Sequence, residues 1–299
     1  MKIQSIDRVE HISAEDFRTQ YFEPRKPLII TGLSKAWPAR DKWTWDYFKS
    51  IVGDKTVGVY NNERAGAKTL VNGADDYIRF GDYLDMIQQG PVKLRIFLFN
   101  IFQHAPQLVD DFTWPDEFAK GFLKKYPMLF VGGEGSIAHM HYDIDLSHIF
   151  HTQFVGRKRV LLLENNQSKL IYRMPLTVES AASFVNWKEQ LDEANYPALQ
   201  YARGYSTILE HGDTMFMPGG YWHHMEYLDG GFAMSLRALD HTLAGKLNGL
   251  YHIAGLRSMN NLMIRMAPQW WYHYKRKVAR QRAERAMKQL EVAGNGRQY

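Results

Sequence analysis

Residues 139–160, HMHYDIDLSHIFHTQFVGRKRV, concentrate side chains that can bind a metal ion or an anion. The segment holds four histidines and two aspartates, and the cationic run Arg-Lys-Arg follows at 157–159. Seven of the 12 histidines of the chain lie between positions 139 and 224. Because neutral imidazole is a common metal ligand, this density predicts a functional site in the middle of the chain.

His141 and Asp143 form a His-x-Asp pair, whose side chains would point to the same face of an extended strand. His223 and His224 follow in GDTMFMPGGYWHHMEY, and the 80 residues from Asp143 to His223 are enough for several strands. Two histidines and one carboxylate on one face of an octahedron form the ligand set of non-haem Fe(II) oxygenases. The alternative is a polar strand with ordinary hydrogen bonds. Four other histidines keep that interpretation: His139, His148, His151 and His211.

Short β-like runs dominate the chain from Lys93 to Ala238, where glycine, proline and aspartate separate them. Several short strands with turn signals favour a sandwich or barrel. Mixed helical and strand patterns precede them, and helical spacing returns afterwards with a break at Pro268. We therefore predict a mainly β protein with flanking helices around a double-stranded β-helix (jelly-roll) core. One domain would span 1–240, and a C-terminal helical region would span 241–299.

Four ordered motifs resemble those of the JmjC/cupin-like Fe(II)- and 2-oxoglutarate-dependent oxygenases. The resemblance is greatest to the branch of the asparaginyl hydroxylase that acts on hypoxia-inducible factor. The motifs here read GGEG at 132–135, HYD at 141–143, QFVGRKR at 153–159 and GDTMFMPGGYWHH at 212–224. The opening KPLIITGLSKAWPARDKWTWDYF is also similar to this branch, so the resemblance covers roughly residues 10–240.

The resemblance implies a ligand set and an anchor for the co-substrate. The iron ligands, which would also be the catalytic residues, are His141, Asp143 and His223. Lys158 would pair with the distal carboxylate of 2-oxoglutarate, because a buried carboxylate needs a cation within bonding range. The alternative for Lys158 is a solvated charge at a strand edge, the usual place of a lysine.

Three features depart from the asparaginyl hydroxylase. That enzyme has a threonine that assists co-substrate binding at the position of Ala138, so a hydroxyl donor must come from elsewhere. Thr152 is our candidate for this donor. The enzyme also has an asparagine near the end of its last core strand, at a position that falls near Arg237 here. This chain has two extra residues between Asp143 and Lys158.

The predicted function is that of an Fe(II)- and 2-oxoglutarate-dependent oxygenase, a hydroxylase whose other co-substrate is dioxygen. Its primary substrate is not identified by the sequence, and a protein side chain, an RNA-associated group and a small molecule all stay open. The alternative is a non-catalytic cupin-type interaction module that binds a metal or another ligand. A third interpretation keeps the barrel but assigns it other metal chemistry.

Composition limits the cellular setting and the classes of partner. The chain has no cysteine, which excludes disulfides and thiolate chemistry. It shows neither a signal-peptide pattern nor about 18 consecutive apolar residues, so we predict no membrane partner and a cytoplasmic location. The net charge of +5 is concentrated in residues 272–299, where eight Lys and Arg face two Glu.

The basic C-terminal segment has three interpretations. Tyr272, Ala279, Ala283, Ala286 and Leu290 recur at helical spacings and form one stripe, which could pack on the barrel of the same chain. The positive charge permits a nucleic-acid partner, although charge alone is weak evidence. We favour a homodimer through the C-terminal helices, because the bulky MIRMAPQWWYHY supplies apolar surface that a small tail could not bury alone.

Overall fold

The computed structural model describes residues 1–61, 74–96, 99–143, 145–176, 183–187, 191–239 and 255–295. These residues form fourteen strands in two sheets, with α-helices before and after the central strands. The first strands are β1 (Lys2–Ser5), β2 (Asp7–Val9), β3 (Leu28–Ile30), β4 (Thr56–Asn61), β5 (Asp76–Arg79) and β6 (Leu94–Ile96). The central strands are β7 (Met128–Gly132), β8 (Ile137–His141), β9 (His148–Val155), β10 (Lys158–Leu163), β11 (Arg203–Leu209), β12 (Thr214–Met217), β13 (Trp222–Tyr227) and β14 (Gly231–Ala238).

The helices lie mostly outside the central strands. Those on the N-terminal side are α1 (Ala14–Phe17), α2 (Ala39–Lys42), α3 (Trp45–Val52), α4 (Phe80–Gln89) and α5 (Ile101–His104). The C-terminal pair is α6 (Arg257–Met266) and α7 (Pro268–Asn295). Among the described residues, no helix is long and apolar enough to cross a bilayer.

The eight central strands form the predicted jelly-roll. One sheet has the order β1-β11-β10-β13-β8, and the other has the order β2-β3-β12-β9-β14-β7-β6-β4-β5. The chain passes between the two sheets as it proceeds from β7 to β14, so strands distant in sequence become neighbours. Strand β9 pairs antiparallel with both β12 and β14, so it lies inside the large sheet and not at its edge.

The outer face of the large sheet is covered by the N-terminal helices. Its side chains include Phe150, Phe154 and Phe216, which belong to one buried cluster with residues of α1 and α3. Trp43 contacts Phe154 at 4.9 Å between ring centroids, and burying such aromatic area is a large favourable term. This layer fixes the sheet from outside and leaves its inner face for the space between the sheets.

The C-terminal helices pack on the other side of the molecule. Ala283 of α7 is fully buried in a cluster with Trp222 and Tyr142, whose rings contact edge to face at 4.8 Å. The predicted break at Pro268 is confirmed, since α6 ends at Met266 and α7 begins at Pro268. Residues 240–254, which the sequence predicts to be helical, lie outside the described residues.

The buried carboxylate of Asp111 is bonded to two neighbouring side chains of the N-terminal layer. The Asp111 carboxylate accepts hydrogen bonds from Trp43 Nε1 at 2.8 Å and from Lys42 Nζ at 2.7 Å. We expect Asp111→Ala to lower the free energy of unfolding by about 1–3 kcal/mol, because the buried indole N–H of Trp43 loses its acceptor. Urea denaturation would measure this, with the exposed neighbour Asp110→Ala as the matched control. Equal stability of the two variants would contradict the assigned role.

Candidate metal centre

Strand pairing brings the two predicted histidine ligands together. In the antiparallel ladder between β8 and β13, His141 lies directly opposite His223, and their ring centroids are 4.1 Å apart. Asp143 follows β8 by two residues, and its Oδ1 lies 3.9 Å from His141 Nε2. The three residues each offer one ligand atom, and these atoms lie within 4.8 Å of one another. No other such cluster occurs in the described part of the chain.

Backbone carbonyls determine which nitrogen of each imidazole is available. His141 Nδ1 lies 2.6 Å from the carbonyl oxygen of His139, and His223 Nδ1 lies 3.1 Å from that of Tyr221. A carbonyl oxygen only accepts, so each Nδ1 donates its hydrogen and each Nε2 keeps a lone pair. A hydrogen bond from the other ring nitrogen to a carbonyl fixes both the tautomer and the ring orientation of a metal-binding histidine.

The charge state of the cluster also fits a cation. Burial lowers the pKa of His141 well below its ordinary value, and the neighbouring His223 lowers it further, so the ring is neutral at pH 7. Burial opposes the ionisation of Asp143, yet the adjacent positive charge of Arg237 holds its pKa below the usual range. Metal binding requires a neutral imidazole and an ionised carboxylate, and these are the states of His141 and Asp143. The donor set therefore fits a divalent metal ion.

Lys158 lies inside the jelly-roll. It begins β10, is only 1% exposed, and places Nζ 4.3 Å from the ring centroid of Tyr227, the residue opposite it on β13. Among the described residues no carboxylate is within ion-pairing distance of this ammonium group. Burial, followed by the positive charge of Arg95, lowers the pKa of Lys158 to about 7. The interior is thus arranged to receive an anion.

Glycine in the GGEG motif makes the environment of Lys158 possible. A Cβ atom at Gly132 would lie 2.6 Å from the ring of Tyr227 and 2.7 Å from Ser136 Oγ. Any larger residue would therefore displace the ring that lies beneath the ammonium group. A cation over an aromatic face is stabilised without a counter-charge.

The metal cluster and Lys158 lie at opposite ends of one interior surface. His223 is opposite Leu162 on β10, and Lys158 is four residues before Leu162 on the same face. At about 3.3 Å per residue, the two positions are about 13 Å apart along the strand. His141 and Asp143 are partly exposed while Lys158 is buried, so the cluster lies nearer the surface.

Thr152, the predicted hydroxyl donor, does not face this interior. Its Oγ1 is 2.9 Å from Thr214 Oγ1, and it shares the outer face of β9 with Phe150 and Phe154. Successive strand residues point to opposite faces, so the neighbour His151 points inward instead. The register of β9 therefore contradicts the prediction that Thr152 is the hydroxyl donor. His151 connects Lys158 to the hydroxyl of Ser235, whose Oγ is 2.7 Å from His151 Nδ1.

His151 connects Lys158 to the large sheet. Its Nε2 lies 3.1 Å from Lys158 Nζ, and burial with the positive charge of Lys158 lowers its pKa well below the ordinary value. The ring is therefore neutral and accepts a hydrogen bond from the ammonium group at Nε2. The ordinary hydrogen-bonding interpretation of His151 holds, but the bonds position the predicted anchor.

Three further histidines of this region lie outside the cluster. His148 Nδ1 accepts from the backbone N–H of Gly219, and His211 Nδ1 donates to the carbonyl of Phe154. His224 points to the opposite face of β13 from His223, and burial lowers its pKa to about 4. His223, rather than His224, belongs to the three-residue cluster.

Two cations of the interior were not assigned roles by the sequence. Arg95 is buried within β6, and Arg237 lies on β14 with its Nη2 2.9 Å from Asp143 Oδ2. Each stands inside an apolar strand-like run, KLRIFLFN and GFAMSLRAL. A charged residue at an inward-facing position of such a run could have identified both arginines as functional candidates. Burying a charge without a partner is costly, so its presence there indicates a role.

Curated relatives align with the greater part of the chain. Lysine-specific demethylase 8 of Danio rerio is 26% identical over 241 residues, which are 78% of this chain and 58% of the relative. Arginine-specific demethylase JMJ20 of Arabidopsis thaliana is 24% identical over 265 residues, 76% of this chain and 56% of the relative. The chain thus spans little more than half the length of these two proteins.

A third relative has a different kind of name. tRNA wybutosine-synthesizing protein 5 of Homo sapiens is 25% identical over 247 residues, 74% of this chain and 73% of the relative. The family described as cupin-like domain matches residues 14–244 of this chain, the region that contains the whole jelly-roll. From this match and the topology of its sheets, the chain belongs to the cupin-like domain family, within the JmjC superfamily.

Proposed function

We propose that the protein is an Fe(II)- and 2-oxoglutarate-dependent oxygenase that hydroxylates its substrate. One arrangement carries the proposal: the cluster of His141, Asp143 and His223 faces the same interior as a buried Lys158 that has no described carboxylate partner. A metal ion satisfies the cluster, and a dicarboxylate that reaches from it satisfies the lysine. Membership of the cupin-like family supports the same conclusion.

The three ligand residues hold and orient the metal. His141 and His223 present Nε2 because their Nδ1 hydrogens are engaged by carbonyl groups, and Asp143 presents Oδ1. Three protein ligands leave positions open for a bidentate 2-oxo acid and dioxygen. Bound iron would supply the oxidative chemistry with dioxygen, while the protein fixes geometry and access.

Lys158 anchors the distal carboxylate of the co-substrate. Its ammonium group donates to this carboxylate while His151 and the ring of Tyr227 hold it in place. A charge-assisted hydrogen bond in a buried site is strong and directional. The anchor therefore fixes the orientation in which the 2-oxo acid group reaches the metal.

The primary substrate is not carried over from the relatives. Their names include lysine- and arginine-specific demethylases and a tRNA wybutosine-synthesizing protein, so the substrates they name differ in class. A protein side chain or a small molecule is our proposal, in keeping with the motifs of the asparaginyl hydroxylase branch. The cytoplasmic location stays a prediction.

We further propose that residues 1–240 form the catalytic domain and that the C-terminal helices form a homodimer contact. Large apolar side chains of α6 and α7 remain exposed, among them Leu262 at 55%, Met266 at 71% and Trp270 at 58%. Large apolar side chains left exposed on neighbouring helices are typical of a protein interface. Ala279 and Ala283 instead pack on the same chain, and the cations of α7 leave a nucleic-acid partner permitted but less favoured.

The test of the function is turnover of 2-oxoglutarate without a substrate. We expect the protein with Fe(II) and dioxygen to form succinate slowly, and Asp143→Ala to abolish both succinate formation and stoichiometric metal binding. Two neutral imidazoles cannot replace the charge or the third ligand position of the carboxylate. Succinate is measured by chromatography and metal content by atomic absorption.

The surface variant Asp229→Ala serves as the control, because Asp229 pairs with Arg157 away from the cluster. Metal binding by the wild type without any succinate formation would favour a non-catalytic binding module. Full metal affinity in Asp143→Ala would show that the ligand set is wrong.

Lys158→Met should leave metal binding intact and weaken 2-oxoglutarate binding by hundreds-fold. Loss of one partner of a buried charge pair costs about 3–5 kcal/mol. Calorimetry of the cobalt(II)-loaded protein measures both affinities. Arg159→Met is the matched control, since Arg159 is the adjacent cation and pairs with Glu226 on the exposed side.

The affinity for 2-oxoglutarate should also depend on pH through Lys158. Burial lowers the pKa of Lys158 to about 7 in the free protein, and only the protonated form binds a carboxylate. As the pH rises from 7 to 9, more of the free lysine is neutral, so the affinity should fall by up to about tenfold per pH unit. Lys158→Met should lack this decline, and a wild-type affinity independent of pH would contradict the anchor.

The dimer proposal predicts the effect of charge on the exposed helix face. The wild type should scatter light as a dimer at tens of micromolar, and Leu262→Glu with Met266→Glu should shift it to a monomer. Val292→Glu, at an equally exposed position near the end of α7, should remain dimeric. A monomeric wild type that shifts labelled RNA with a steep salt dependence would instead support a nucleic-acid partner.

A further inference from the structure

Arg237 connects the metal ligand Asp143 to a second carboxylate. Its Nη2 lies 2.9 Å from Asp143 Oδ2 and 3.0 Å from Asp145 Oδ1. Nε is 3.2 Å from Ser147 Oγ, and Nη1 is 3.4 Å from Met128 Sδ. Every nitrogen of the guanidinium group is therefore engaged, and the side chain is only 15% exposed.

Asp145 lies in a tight turn immediately after the ligand. The backbone N–H and the hydroxyl of Ser147 both donate to Asp145 Oδ1, at 3.3 and 3.0 Å. The N–H of Leu146 donates to the Asp143 carbonyl, and Leu146 adopts a φ of 54°. The turn therefore carries two carboxylates side by side, and a single arginine nitrogen holds both.

These contacts decide how many oxygens can reach a metal. Asp143 directs Oδ1 toward His141 Nε2, while its Oδ2 is occupied by Arg237. Without the guanidinium group, Asp143 could bind through both oxygens and Asp145 could become a fourth ligand. Either change would fill positions that a 2-oxo acid and dioxygen require.

We propose that Arg237 is a positioning residue that restricts Asp143 to one ligand oxygen and withholds Asp145 from the metal. It thereby keeps the coordination positions open that the co-substrate occupies. This inference rests on the proposed function, because it concerns the same metal cluster.

The experiment compares cobalt(II)-loaded wild type with Arg237→Met, Asp145→Asn and the double variant. Visible absorption of Co²⁺ reports the ligand set, and calorimetry measures the affinities for Co²⁺ and for 2-oxoglutarate. We expect Arg237→Met to change the spectrum and to weaken 2-oxoglutarate binding at least tenfold. The double variant should recover part of this affinity, because the competing carboxylate of Asp145 is gone while Asp143 can still bind through both oxygens.

Asp145→Asn alone should leave the Co²⁺ spectrum unchanged, and this holds as a test even where Arg237→Met does not fold. Arg157→Met is the matched control, since Arg157 makes a comparable two-point contact to the surface carboxylate of Asp229. A changed spectrum in Asp145→Asn would mean that Asp145 already binds the metal and would overturn the inference. So would wild-type behaviour of Arg237→Met, or a double variant that recovers nothing.

The proposed function fails separately. Wild type that binds neither Co²⁺ nor 2-oxoglutarate would reject the oxygenase assignment before any variant is compared. Wild type that binds both, with an unaffected Arg237→Met, would reject only the role of Arg237.

Discussion

The register between β8 and β13 is the constraint on which the candidate centre depends. It sets His141 opposite His223, so the distance between the two imidazoles follows from the spacing of hydrogen-bonded strands rather than from any flexible loop. A shift by one residue would turn one ring to the opposite face of the sheet. A bulge between His223 and Met225 changes the pairing beyond the two histidines, so that Ala138 rather than His139 lies opposite Met225.

Burial of charge is the second constraint on the site. A lysine that is removed from water without a carboxylate partner destabilises the folded protein, and the lowered pKa of Lys158 expresses that cost. The fold reduces the cost with the ring of Tyr227 and the acceptor nitrogen of His151. A dicarboxylate bound beside Lys158 would reduce this cost further.

Both covering layers stabilise this arrangement from outside. The helices of the N-terminal side bury the outer face of the large sheet, where Thr152, Phe150 and Phe154 point. On the other side, Trp222 and Ala283 join the small sheet to α7. The inner faces carry the polar groups of the site together with a smaller apolar cluster that includes Val160, Leu162 and Met215.

The architecture and the candidate ligands could be predicted from the sequence. Strand-length runs with turn residues predicted the jelly-roll, and ordered motifs that resemble those of the JmjC-type oxygenases predicted that His141, Asp143 and His223 meet. These predictions succeeded because a period of two and an ordered set of motifs are local properties that survive folding. The break before α7 was likewise predictable, since Pro268 cannot continue a helix.

The neighbours of these residues depend on contacts between strands that are distant in the sequence. The sheet face to which Thr152 points depends on the register of β9 within the sheet. A turn separates β9 from β10, so the number of residues between Thr152 and Lys158 does not predict whether they share a face. The contact of Arg237 with Asp143 joins residues 94 positions apart, on a strand and a turn that meet only when the barrel closes. Long-range pairing of this kind follows from the packing of two sheets, and no local pattern encodes it.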